Sequence, residues 1–111
     1  MADDTPLLDT VAAMTAASLE NCDLEPRELM LARIAALAAA GAPPVSYLVN
    51  AGTARDAGVT LADVQGVLVA IAPIVGTART VSAAGNVARA LGFAIAAVEA
   101  ELEAQLEDEA G

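Results

Sequence analysis

The chain has 111 residues, enough for one domain (1–111) around a single core but too few to hide all of its apolar side chains. Fifteen acidic against five basic residues leave a net charge of −10. That balance excludes a phosphate-tracking surface and opposes an anionic membrane, so neither nucleic acid nor membrane is an expected partner.

Hydrophobic residues make up 57% of the chain, yet it holds one Phe, one Tyr and no Trp. The apolar mass is therefore Ala, Leu, Val and Ile. Alanine is the strongest helix former and lets helices approach closely, whereas sheets draw on β-branched and aromatic residues, so an all-α fold is expected. The absence of His removes the commonest general base and metal ligand, and the lone Cys22 excludes an intrachain disulfide. No metal or cofactor is expected. Asp3 and Asp4 ahead of Pro6 do not form a signal peptide, and the expected location is the reducing cytoplasm. The longest uncharged stretches, 34–54 and 64–78, are broken by Pro43-Pro44 and by Gln65, Gly66 and Pro73, so neither is expected to span a bilayer.

A first helix is predicted from Thr5-Pro6, with Thr as cap and Pro in the first turn, running through Leu8, Val11, Ala12, Thr15 and Leu19 and ending over Asn21 to Glu25. Pro26 opens a second. Its apolar residues Leu29, Met30, Leu31, Ile34, Leu37 and Ala38 nearly encircle it, the pattern of a core helix, and Gly41 closes it. Pro43-Pro44 begins a third helix through Tyr47, Leu48, Ala51 and Ala54 to Gly58.

Thr60 followed by Asp63 is close to a capping box and starts a fourth helix, with Leu61, Val64, Leu68, Ile71 and Val75 as its inner stripe and Pro73 ending it near Gly76. A fifth, capped by Thr77, carries Val81, Ala84, Ala88 and Leu91 on one face and is expected to stop at Gly92. The sixth is amphipathic, with Ile95, Val98, Leu102 and Leu106 opposed to glutamates. Its acidic tail, 107–111, is expected to fray because negative charge opposes the dipole at a helix C-terminus.

Three segments carry a resemblance to a known family: Leu24-Glu25-Pro26-Arg27-Glu28-Leu29, Ala57-Gly58-Val59-Thr60 before Ala62-Asp63-Val64, and the run from Val69 to Arg79. In order and spacing, Leu24 to Leu91 resembles the carboxymuconolactone decarboxylase family, which includes the alkylhydroperoxidase D-like proteins. The resemblance implies a helical domain of that fold that assembles with itself into dimers, trimers or hexamers. In the peroxidase branch it implies a Cys-x-x-Cys pair followed four residues later by His, on the helix before the Ala-Gly-Val-Thr turn. Here the matching positions are Pro43, Ser46 and Asn50. None of them can cycle through sulfenate and disulfide, so thiol peroxidase activity does not carry over. The decarboxylase branch implies an active-centre histidine, and Asn50 exchanges no proton near neutral pH.

Cys22 lies outside that motif, between Asn21 and Asp23, without the cationic neighbours that activate a thiol, and is read as inert. Ser46, Tyr47 and Asn50 share a helix face and are candidate pocket residues, against a competing reading as packing and backbone-bonded positions. Arg33, Arg55 and Arg79 suit bidentate binding of a carboxylate, with Arg33 and Arg79 the preferred candidates, against a competing reading as salt-bridge partners. Asp56 and Asp63 are read as structural. The function expected is that of a non-redox member, a homo-oligomer with a small-ligand pocket or an assembly role. The alternatives are an enzyme that decarboxylates or isomerises a small organic acid, and a structural interaction protein.

Overall fold

A computed structural model describes the backbone of residues 4–110, and their side chains except at 93 and 94. Five helices follow in order: α1 Pro6–Asn21, α2 Pro26–Ala40, α3 Pro44–Asp56, α4 Leu61–Val75 and α5 Thr77–Ala110. Among the described residues there is no strand. The first three helices each begin on a proline, whose missing N–H costs nothing in the first turn.

Helix ends follow equally local chemistry. Gly41 adopts φ 73°, and the N–H groups of Gly41 and Ala42 return to the carbonyls of Ala38 and Leu37, at 3.2 and 2.9 Å. Gly58 repeats this at φ 83°, with Gly58 bonding to Arg55 and Val59 to Ala54. Both are left-handed caps that a Cβ would strain. α4 opens on the full capping box, the Thr60 hydroxyl accepting from the Asp63 N–H and the Asp63 carboxylate accepting from the Thr60 N–H. It closes at Val75, two residues after Pro73.

The six expected helices are five, because Gly92 does not end α5. The helix runs 34 residues without a break, through Glu107, Asp108 and Glu109 to Ala110, and the last residue of the acidic tail, Gly111, lies outside the described residues. The physical reason lies in the neighbours of the glycine. No proline or turn-forming residue follows Gly92, and the flanking Ala-Leu and Phe-Ala-Ile-Ala-Ala are helix-compatible. A lone interior glycine weakens a helix by only about 1 kcal/mol relative to alanine. A second difference is at Thr77, which is the first residue of α5 rather than its cap, the carbonyl of Gly76 accepting from the Thr80 N–H at 3.1 Å.

α2 is the centre of the bundle and packs on α3, α4 and α5, while α5 also lies on α3 and α4. The core is two small clusters: Leu29, Met30 and Ala54, with Cys22, Ala57 and Val59 against them, and Ala38, Leu68 and Ala83, with Ile71. Among the described residues, Met30 is the one large side chain that is fully enclosed. α1 buries no residue and lies at the margin of the bundle, touching α2 through Ser18 and Leu19, and its apolar Leu7, Leu8, Val11 and Met14 are exposed.

The isolated chain is open for its size. Its accessible surface is 7751 Å², where a compact 11.0 kDa monomer exposes about 5,600 Å². Its radius of gyration is 16.7 Å, against about 13 Å for a compact domain of this length.

Candidate functional site

An apolar concavity of about 220 Å³ lies where α2, α3 and α5 meet the turn into α4. α2 contributes Ile34 and Leu37, α3 contributes Tyr47, Asn50, Ala51, Ala54 and Arg55, and α5 contributes Val87, Ala90 and Leu91. Val59, Thr60, Leu61 and Val64 complete it. The helical repeat accounts for the α3 wall, since Tyr47, Asn50, Ala51 and Ala54 recur at spacings of three and four and so share a face.

The five candidates from the sequence are distributed unevenly. Tyr47 and Asn50 line the concavity; Ser46, Arg33 and Arg79 do not. Ser46 lends its carbonyl to Asn50 Nδ2, which donates to it at 2.8 Å. Arg33 Nη2 donates to the Ser18 hydroxyl on α1 at 3.0 Å. Arg79 Nη1 donates to the Ala39 carbonyl at 2.6 Å, so a cation sits in the last turn of α2, where the helix dipole favours it. The guanidinium at the concavity is that of Arg55, whose side chain is 83% exposed and whose Nε lies 3.7 Å from Asp56 Oδ1.

Tyr47 is 8% exposed, and its hydroxyl is sealed from solvent with no hydrogen-bond partner among the described residues. Burial pushes the phenol above its ordinary value of 10.0. Because the oxygen itself is enclosed, the ring rather than the hydroxyl forms the wall. Tyr47 is therefore no acid or base for a molecule resting in the concavity. Thr60 is likewise committed, its hydroxyl to the capping box. The remaining polar side chains of the lining are Asn50 and Arg55.

Val59, Thr60, Leu61 and Val64 were not singled out as site residues from the sequence. A signal for two of them existed, since Val59 and Thr60 end the Ala-Gly-Val-Thr turn. Cys22 lies in a separate depression with Leu24, Pro26, Met30 and Asp56, half-buried against the Leu29–Met30–Ala54 cluster.

The model of the carboxymuconolactone decarboxylase family matches residues 5–90. The chain belongs to that family. The match reaches back through α1, beyond the Leu24 start of the stretch that carries the resemblance. Comparisons with curated proteins and with solved structures returned no match. Within this carboxymuconolactone decarboxylase family member, the positions corresponding to the peroxidatic motif fall at the start of α3: Pro43 is its extended N-cap, and Ser46 and Asn50 follow over the next two turns. Asn50, at the position that the resemblance gives to the histidine, lines the concavity, and the positions it gives to the two thiols are Pro43 and Ser46.

Proposed function

We propose that this family member is a non-redox, self-associating protein whose α2–α3–α5 concavity takes a small, mostly apolar ligand. The single observation that carries the ligand reading is the lining. It is built mostly from aliphatic and aromatic side chains, with Asn50 and Arg55 among its few polar ones. Concave, apolar sites with a few placed polar groups are the usual form of small-molecule sites. The surface in excess of a compact monomer and the outward-facing apolar residues of α1 support self-association. No thiol stands at the motif positions, so peroxide reduction is not part of this reading.

Nile red, a neutral apolar fluorophore, tests it. Wild type should bind the dye saturably, and Ala51→Phe, which fills the concavity from its α3 wall, should weaken binding at least tenfold while circular dichroism is unchanged. Equal binding by the two proteins would remove the concavity as the site.

A second reading, an enzyme acting on a small organic acid, is favoured by Arg55 at the edge, since a guanidinium there suits a carboxylate. It does not draw on Arg33 or Arg79, which are engaged by Ser18 and by the end of α2. Benzoate binding lost in Arg55→Gln would favour the acid ligand, and turnover of an unsaturated carboxylic acid in the same comparison would make it an enzyme.

A further inference from the structure

The unbroken α5 joins two apolar stripes into one. Val81, Ala84, Ala88, Leu91, Ile95, Val98 and Leu102 recur at alternating spacings of three and four, the 3.5-residue repeat of a helix that pairs along a narrow seam. All seven are exposed in the single chain, Leu91 also bordering the concavity: Val81 is 65%, Leu91 45%, Ile95 51%, Val98 54% and Leu102 53% accessible. The buried residues of α5, Ala83 and Ala90, lie on its other side, against the bundle. A seam sustained over three heptads and uncovered by its own chain lacks a partner.

We propose that the partner is a second copy of this chain, with the two α5 helices paired antiparallel along the seam from Ala84 to Leu102. This specifies the surface behind the self-association proposed above and rests on that reading. Two independent features select the orientation.

The first is volume. With the helices antiparallel and their ends flush, Ala84 faces Leu102 of the partner subunit, Ala88 faces Val98 of the partner subunit, and Leu91 faces Ile95 of the partner subunit. Small residues then meet large ones, as close packing requires. A parallel pair in register would stack Ala84 on Ala84 and Ala88 on Ala88 and crowd Leu102 against itself.

The second is charge. From Thr77 to Val98 the charged residues of α5 are Arg79 and Arg89, and from Glu99 to Glu109 every charged residue is acidic. Parallel pairing would lay one acidic end beside the other. Antiparallel pairing sets Glu107, Asp108 and Glu109 beside the N-terminal turn of the partner's α5, where the helix dipole favours negative charge. The single chain as a whole, α1 included, exposes roughly 2,100 Å² more than a compact monomer would, and a standard interface covers about 800 Å² on each partner.

By length and composition α5 also contains a window apolar enough to cross a bilayer. The seam, however, occupies one face, with Asn86, Arg89 and the glutamates elsewhere, which fits a helical partner better than lipid.

Directed cross-linking of the full chain, with Cys22→Ser removing the native thiol, tests the pairing. One preparation carries Ala84→Cys, another Leu102→Cys, and both are checked for unchanged helicity and sedimentation. After mixing and subunit exchange, mild oxidation should yield a disulfide-linked dimer of at least half of the exchangeable pairs, and neither preparation alone should cross-link appreciably. Cross-linking of Leu102→Cys by itself would mean parallel pairing and overturn the inference. An oligomer in sedimentation with no cross-link in any sample would place the contact on another face, overturning the inference while leaving self-association intact. A monomer, or a monomer that floats with phosphatidylcholine vesicles, would overturn both.

Discussion

Arg27 Nη2 lies 2.6 Å from Asp63 Oδ1, while the other oxygen of the same carboxylate accepts the Thr60 N–H at 2.9 Å. One side chain thus caps α4 and ties it to the first turn of α2, the central helix. The hydrogen bonds from Thr60, with the Arg27 charge adding to them, hold the Asp63 carboxyl below its ordinary value of 3.8.

This linkage has a defined pH signature. A carboxyl whose folded value is depressed contributes stability that is present above its unfolded value, near 3.9, and is lost as pH falls through the folded one. Asp63→Asn should therefore lower stability at pH 7 and flatten its dependence on pH below about 4. Urea melts at pH 7, 4 and 3 measure both. Parallel losses for the two proteins over that range would show that Asp63 carries no such linkage.

Tyr47→Phe is expected to leave stability unchanged or to raise it by up to about 1 kcal/mol, because it removes an enclosed hydroxyl that lacks a protein partner while keeping the ring. Thermal melts of the two proteins decide the sign. A loss above about 1 kcal/mol would reveal a partner for the hydroxyl. Nile red affinity should not change, since the oxygen does not face the concavity.

Gly92→Ala tests the continuity of α5. No neighbouring atom lies within 4 Å of an added Cβ there, and φ is not positive, so the substitution should stabilise by about 0.5–1 kcal/mol through helix propensity. A helix that ended at Gly92 in a left-handed cap would be destabilised instead.

Asn50→Leu should change stability little, since the Asn50 amide donates only to the Ser46 carbonyl one turn back on its own helix. In the same variant the affinity for ligands that present a hydrogen-bonding group should fall severalfold, whereas Nile red binding should hold or tighten. Isothermal titration with benzamide, against the Nile red comparison, separates these outcomes. A destabilisation near 3 kcal/mol would make Asn50 a structural residue.

Hydroperoxide consumption with a dithiol reductant should not exceed background, in wild type or in Cys22→Ser. Peroxide reduction requires a thiolate and a resolving thiol, and the motif positions hold Pro43, Ser46 and Asn50. Robust turnover abolished by Cys22→Ser would assign the chemistry to the half-buried thiol beside Met30.

The sequence by itself determined the features that depend on residues within a turn of one another. Pro6, Pro26 and Pro44 opened helices, Gly41 and Gly58 closed them, and Thr60 with Asp63 formed a capping box, because each rests on φ preference or on hydrogen bonds spanning three to five residues. The family motif placed Asn50 and its neighbours on α3 for the same reason. Only the tertiary structure decided what happens between residues far apart in the chain. Arg27 meets Asp63 across 36 positions and Arg79 meets Ala39 across 40, and nothing local distinguishes these arginines from Arg55, which stays at the mouth of the concavity. Gly92 marks the boundary between the two kinds of knowledge. A glycine ends a helix when the chain must turn there, and whether it must turn depends on what the segment beyond it packs against, so a residue that reads as a stop became the interior of a 34-residue helix whose exposed seam runs past the bundle.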